Sequence, residues 1–98
     1  MTISKTQSGS ALTIALEGRL DTVTSPELEK ELKASMDAAE ELQLDFRGLD
    51  YISSAGLRVL LAAHKVMSRK GGMKITGAND IVREVFDVTG FSDILTVE

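Results

Sequence analysis

Apolar and polar residues alternate along much of this chain, and the period of alternation changes at regular intervals. Leu12, Ile14 and Leu16 alternate with Thr13, Ala15 and Glu17, which is the period-two pattern of a strand with one buried face. Leu42, Leu44 and Phe46 repeat it, with Gln43 and Asp45 between them. Met73 and Ile75 suggest a shorter strand, and Ile94-Leu95-Thr96-Val97 a last extended segment. Residues 2–7 are polar and extended in character. Ser8-Gly9-Ser10 reads as a turn, so the first two strands are expected to form a hairpin.

Between the strands the period lengthens. Leu28, Leu32, Met36 and Ala39 recur at helical spacing. Ser25 is placed to cap that helix, Pro26 suits its first position, and Glu27 complements the positive helix end. A second helix is expected from about Ala55 to Lys70, with Leu57, Leu60, Leu61, His64 and Met67 on one side and Gly71-Gly72 as its stop. Asn79 is placed to cap a third helix carrying Ile81, Val82, Val85 and Phe86, which Gly90 ends. Strand–helix–strand units require right-handed crossovers and an at least partly parallel sheet. Strands covered on both faces would be continuously apolar, and these are not. The expected fold class is therefore α/β: one domain over residues 1–98, a mixed sheet with helices packed on one face.

Composition narrows the function classes. A chain of 98 residues with 43 % apolar content fits one domain with a real core. It has no cysteine, so neither a disulfide framework nor a thiolate metal site can form. No apolar run is long enough to span a membrane, and residues 1–5 do not resemble a secretory leader. These features lead us to expect a cytoplasmic protein. The net charge of −4 argues against nucleic acid as the main partner. The charge is uneven, however. No acidic residue lies between Asp50 and Asp80, while Arg58, Lys65, Arg69, Lys70 and Lys74 all do. That stretch is either a solvated helix face or a docking face for an acidic partner.

Catalytic patterns are missing. His64 is the single histidine, with no second donor of its kind to share a metal. Gly71-Gly72 lacks the flanking residues of a phosphate-binding loop, and there is no nucleophile elbow. The expectation is a protein that is not an enzyme and needs no cofactor. The informative segment runs from Leu49 to Leu61, joining the Leu42–Phe46 strand to the second helix. A serine just before a helix is first of all a cap for free backbone N–H groups. The same free N–H groups and the positive helix end also tolerate a phosphate. Gly56 has no β-carbon, which suits either close helix packing or close approach by a partner.

Tyr51-Ile52-Ser53-Ser54-Ala55-Gly56-Leu57-Arg58-Val59-Leu60 resembles the signature of STAS domains, in particular bacterial anti-sigma factor antagonists. Glu17-Gly18-Arg19-Leu20-Asp21 is similar to the family's Gly-x-Leu-Asp element, and Val82 to Phe91 to its third-helix pattern. The resemblance runs in one register from about residue 3 to 97. It implies that the unphosphorylated protein binds an anti-sigma factor that is also a serine kinase, releasing the sigma factor. Phosphorylation by that kinase would end the complex, and a serine phosphatase would reset it. The implied acceptor is Ser54, with Ser53 as rival, because Ser53 stands where the best-known switches carry aspartate. The implied partner-binding residues are Asp21, Ser53, Ser54, Gly56 and Arg58. STAS domains also serve as subunits of membrane transporters, and that is the alternative expectation.

Overall fold

A computed structural model describes all 98 residues. In chain order its elements are β1 (Thr2–Ser8), β2 (Ala11–Leu20), α1 (Ser25–Ser35), a 3-10 turn (Met36–Ala38), β3 (Glu41–Ile52), α2 (Ser54–Met67), β4 (Met73–Thr76), α3 (Asp80–Thr89), a second 3-10 turn (Phe91–Asp93) and β5 (Thr96–Val97). The five strands form one sheet in the order β1-β2-β3-β4-β5. β1 is antiparallel to β2, and every other neighbouring pair is parallel. Hairpin, mixed sheet and α/β connectivity all follow the expectation.

The period-two pattern decides where the core lies. Leu12, Ile14 and Leu16 of β2, Leu42, Leu44 and Phe46 of β3, and Met73 and Ile75 of β4 are all buried. Register brings them together, since Leu12 pairs with Leu42, Ile14 with Leu44, and Leu44 with Ile75. The helices bury Leu28 and Leu32 of α1, Leu57, Leu60 and Met67 of α2, and Val82 and Phe86 of α3 into the same cluster. Phe86 lies 6.5 Å, centroid to centroid, from Phe46. Thr13, Ala15, Gln43 and Thr76 occupy the opposite sheet face, where they are only half-buried. Each fully buried leucine contributes about 2 kcal/mol of transfer free energy.

β3 runs six residues beyond the alternation that announces it. Past Phe46 the buried positions are Leu49 and Ile52, three residues apart rather than two. Two register shifts against β2 account for this: β3 carries one extra residue between Asp45 and Gly48, and another between Leu49 and Tyr51. Each bulge twists the strand and returns an apolar side chain to the core. At the first bulge Asp45 accepts the backbone N–H of Arg47 at 3.0 Å and its Nη2 at 2.7 Å. Hence β3 delivers Ile52 to the core and Ser53 to the rim.

Other details also differ from the sequence expectation, among them the end of α2, which stops at Met67 rather than Lys70. Thr24, not Ser25, is the residue preceding α1. Ser25 is the first helical residue, buried, with its hydroxyl donating to the Asp21 carbonyl. Pro26 accordingly sits second in the helix, where its missing N–H is equally harmless. On α2, Leu61 and His64 are only half-buried, while Val59 and Ala63 complete the core stripe. Finally, Ile94 and Leu95 belong to a turn, leaving only Thr96 and Val97 as strand. Asn79 and Gly90 do cap α3 as expected. Asn79 accepts the Val82 N–H at 2.8 Å, and Gly90 takes the left-handed conformation.

Gly56 tests the packing directly. A β-carbon there would stand 2.7 Å from Leu20 Cγ and 2.9 Å from Ile52 Cγ1. Glycine to alanine in a helix interior normally stabilises by up to about 1 kcal/mol. Here the clash reverses the sign, and Gly56→Ala is expected to lose about 1–3 kcal/mol. A lower urea midpoint for the variant checks this, and a higher one contradicts it.

Candidate functional site

The predicted site residues meet at the end of the central parallel pair. Leu20 of β2 and Ile52 of β3 are paired and buried. One residue further, the Ser53 N–H donates to the Leu20 carbonyl at 2.9 Å. The chain then leaves the sheet in two directions, into the Asp21–Thr24 turn and into α2. Asp21, Ser53 and Ser54 are thereby brought to one rim of the sheet.

The two serines play different parts. Ser53 is the N-cap of α2: its backbone is extended, and its hydroxyl accepts the Gly56 N–H at 3.5 Å. Ser54 is the first helical residue, exposed, and no hydrogen bond holds its hydroxyl. The cap expected of the acceptor serine thus falls one residue earlier. The first backbone bond of the helix runs from Leu57 N–H to the Ser53 carbonyl at 3.0 Å. The N–H groups of Ser54 and Ala55 therefore precede the helical ladder, as at any helix start. Gly56 is buried against Leu20 and Ile52, and this packing leaves no room for a side chain. Arg58 is exposed on the next turn and forms no ion pair.

The Asp21 turn is a closed knot of hydrogen bonds. Asp21 Oδ1 accepts the N–H groups of Val23 and Thr24, each at 3.0 Å, and the Thr24 hydroxyl lies 3.2 Å from it. That hydroxyl donates to the Arg19 carbonyl at 2.7 Å and accepts the Asp21 N–H at 2.9 Å. Arg19 lies with its guanidinium 4.5 Å above the Tyr51 ring, and its Nε is 3.8 Å from Asp21 Oδ2. Thr24 and the Arg19–Tyr51 stack were not singled out from sequence. The Asp-x-x-Thr spacing at Asp21 is the signal that could have found the first. The stack depends on the second bulge, which sets Arg19 opposite Tyr51.

The cations of the acid-free stretch divide. Lys70 turns inward and donates to the carbonyls of Met36, Asp37 and Ala39 at 2.8, 3.1 and 3.0 Å. It fastens the end of α2 to the turn after α1. Lys74 lies 3.8 Å from Glu98. Arg58 and Lys65 are left on one exposed face of α2, a helix without a carboxylate, and Arg69 follows in the turn after it. His64 lines a depression of about 480 Å³ at the opposite end of the sheet, together with Leu12, Gln43, Gly72 and Lys74. No three metal-ligating side chains cluster anywhere in the chain.

The knot holds the Asp21 carboxyl below the usual carboxylate range, chiefly through the Thr24 N–H. The Thr24 hydroxyl, the Val23 N–H and the Arg19 guanidinium add to this, against a partial opposing effect of desolvation. A carboxyl with a lowered folded-state pKa adds stability above its unfolded value, near pH 4, and loses it as the pH falls further. Wild type is therefore expected to unfold at higher urea than Asp21→Asn at pH 7. The gap between the two midpoints should narrow progressively as the pH falls below 4.

Comparison with known proteins agrees with the fold. The profile of the family described as Mlab, STAS domain, matches residues 3–96. A Bordetella bronchiseptica protein named as a candidate anti-sigma factor antagonist, BtrV, is 41 % identical over 88 residues, covering 88 % of this chain and 76 % of that one. Among solved structures, an anti-sigma factor antagonist from Mycobacterium paratuberculosis superposes with a TM-score of 0.88 at 22 % identity, over 98 % of this chain and 83 % of that one. The Bacillus cell fate determinant SpoIIAA in its phosphorylated form gives 0.76 at 16 % identity, over 99 % and 91 %. The profile match spans nearly the whole sequence, and the chain belongs to the STAS domain family.

Proposed function

We propose that this protein is an anti-sigma factor antagonist whose partner binding is switched by phosphorylation of Ser54. The observation that carries the reading is the setting of that hydroxyl: exposed, unbonded, and on the first residue of a helix seated rigidly on the sheet. A kinase can reach it without breaking an existing hydrogen bond. Ser53 lacks this advantage, since its hydroxyl caps Gly56 and its side chain is half-buried. The names of the relatives support an anti-sigma factor as the partner class.

The partner in this reading is an anti-sigma factor with serine kinase activity. It transfers the γ-phosphoryl group of ATP to Ser54 Oγ. A phosphorus–oxygen bond forms there, the bond to the β-phosphate oxygen breaks, and ADP and the hydroxyl proton leave. This chain contributes the acceptor and the docking surface, not the catalysis, and holds no cofactor of its own. A serine phosphatase reverses the step. The switch acts in the cytoplasm, and no helix is long and apolar enough to cross a membrane.

The physical effect is electrostatic. The phosphate adds about −1.5 to −2 charges at neutral pH to a chain of net charge −4. The added charge arrives near Asp21 and at the head of a helix face that presents Arg58 and Lys65, with Arg69 in the turn beyond it. Like charges across a docked interface cost several kcal/mol. Hence the complex dissociates on phosphorylation while the fold persists.

Affinity purification of tagged variants from native cells tests this reading. Wild type and Ser54→Ala should recover an anti-sigma factor carrying a serine kinase domain, and Ser54→Asp should not. Equal recovery by Ser54→Asp contradicts the charge switch. Recovery of a transporter's membrane subunit by all three variants identifies the STAS subunit reading instead.

A further inference from the structure

We propose that Arg58 is the internal receptor of the phosphate on Ser54, so that phosphorylation withdraws a cation from the partner-facing side of α2. The inference rests on the reading of Ser54 as acceptor and adds the residue through which the modification acts. Ser54 is the first residue of α2, and Arg58 follows it by four. Residues four apart are neighbours on a helix surface, and helical side chains lean toward the N-terminus. The Arg58 side chain is therefore within reach of the turn that begins with Ser54. An acidic group N-terminal to a basic one at this spacing is the favoured order.

Arg58 is also free to respond. It is exposed, forms no ion pair, and has no carboxylate on its own helix. The other charges at this rim are already engaged or have the wrong sign. Arg19 lies over Tyr51 and beside Asp21, while Asp21 is held within its own turn. Asp50, on β3, would repel a phosphate. A phosphate can take a guanidinium in two parallel hydrogen bonds, which a single oxygen of unmodified serine cannot offer. The partner then meets both changes at once: an added anion, and a cation folded back onto it. Ser53 lies five residues before Arg58, off that face, and does not share the pairing.

The test installs phosphoserine at position 54 during translation, so that no kinase is needed, and follows its second ionisation by 31P NMR. The free group titrates near pH 6. Pairing with Arg58 should lower this by about half a pH unit relative to Arg58→Gln, a factor of about three in proton affinity. The helix end and the Asp21 turn are the same in both proteins, so their effects cancel. Arg58→Lys should recover most of the shift, and phosphoserine installed at position 53 should titrate alike with and without Arg58. Identical titration of phosphoserine 54 in wild type and Arg58→Gln overturns the proposal, as does equal sensitivity at position 53. Neither result bears on whether Ser54 is the residue modified in cells, which is measured separately.

Discussion

The seating of α2 on the ends of β2 and β3 governs the arrangement at the site. Gly56 has no side chain, so the first turn of the helix descends directly onto Leu20 and Ile52, both fully buried. The hydrogen bond from Ser53 N–H to the Leu20 carbonyl closes the sheet just beneath. Together these fix the start of α2 beside the turn that follows β2. A larger residue at 56 would lift the helix and separate Ser54 from Asp21. The Ser54 hydroxyl is exposed on a turn whose other residues are engaged: Ser53 caps the helix, and Gly56 and Leu57 pack on the core.

That rigidity gives a small chemical change its leverage. The Asp21 turn is tied by its own side chains, and Lys70 fastens the far end of α2 through three carbonyls. In the proposed switch, a phosphate placed at one end of such a platform would change the surface potential while these ties hold the fold. Of the cations in the acid-free stretch, which the sequence leaves open as a solvated face or a docking face, Lys70 binds carbonyls within the chain and Lys74 lies beside Glu98. The set of cations free of a partner within the chain is consequently smaller than charge counting suggests, and Arg58 is the one nearest to Ser54 in sequence.

Much of this was legible in the sequence, for identifiable reasons. Period-two alternation marks a sheet with one buried face, and it located β2, β3 and β4 together with eight of their eleven buried residues, missing Leu20, Leu49 and Ile52. Asn79 and Gly90 announce the ends of α3 because caps are local chemistry. The pattern failed where tertiary geometry overrides it. β3 continues through two bulges that change the spacing of buried residues from two to three, so Leu49 and Ile52 fall outside the alternation. The site was legible as a motif, through Ser53, Ser54 and Asp21. The division of labour between the serines was not, since either can cap on local grounds, and only the end of β3 at Ile52 decides which one does. Likewise, the Arg19–Tyr51 stack requires a register that no local signal encodes.

The central claim is that Ser54 carries a phosphate in the working life of this protein. Intact-mass spectrometry with peptide mapping, on protein purified from its native cells under several growth conditions, measures it directly. The account predicts a fraction of molecules heavier by one phosphate, about 80 Da, with the added mass on Ser54. Phosphate on Ser53 instead would contradict the assignment of cap and acceptor, and no phosphate under any condition would contradict the switch itself.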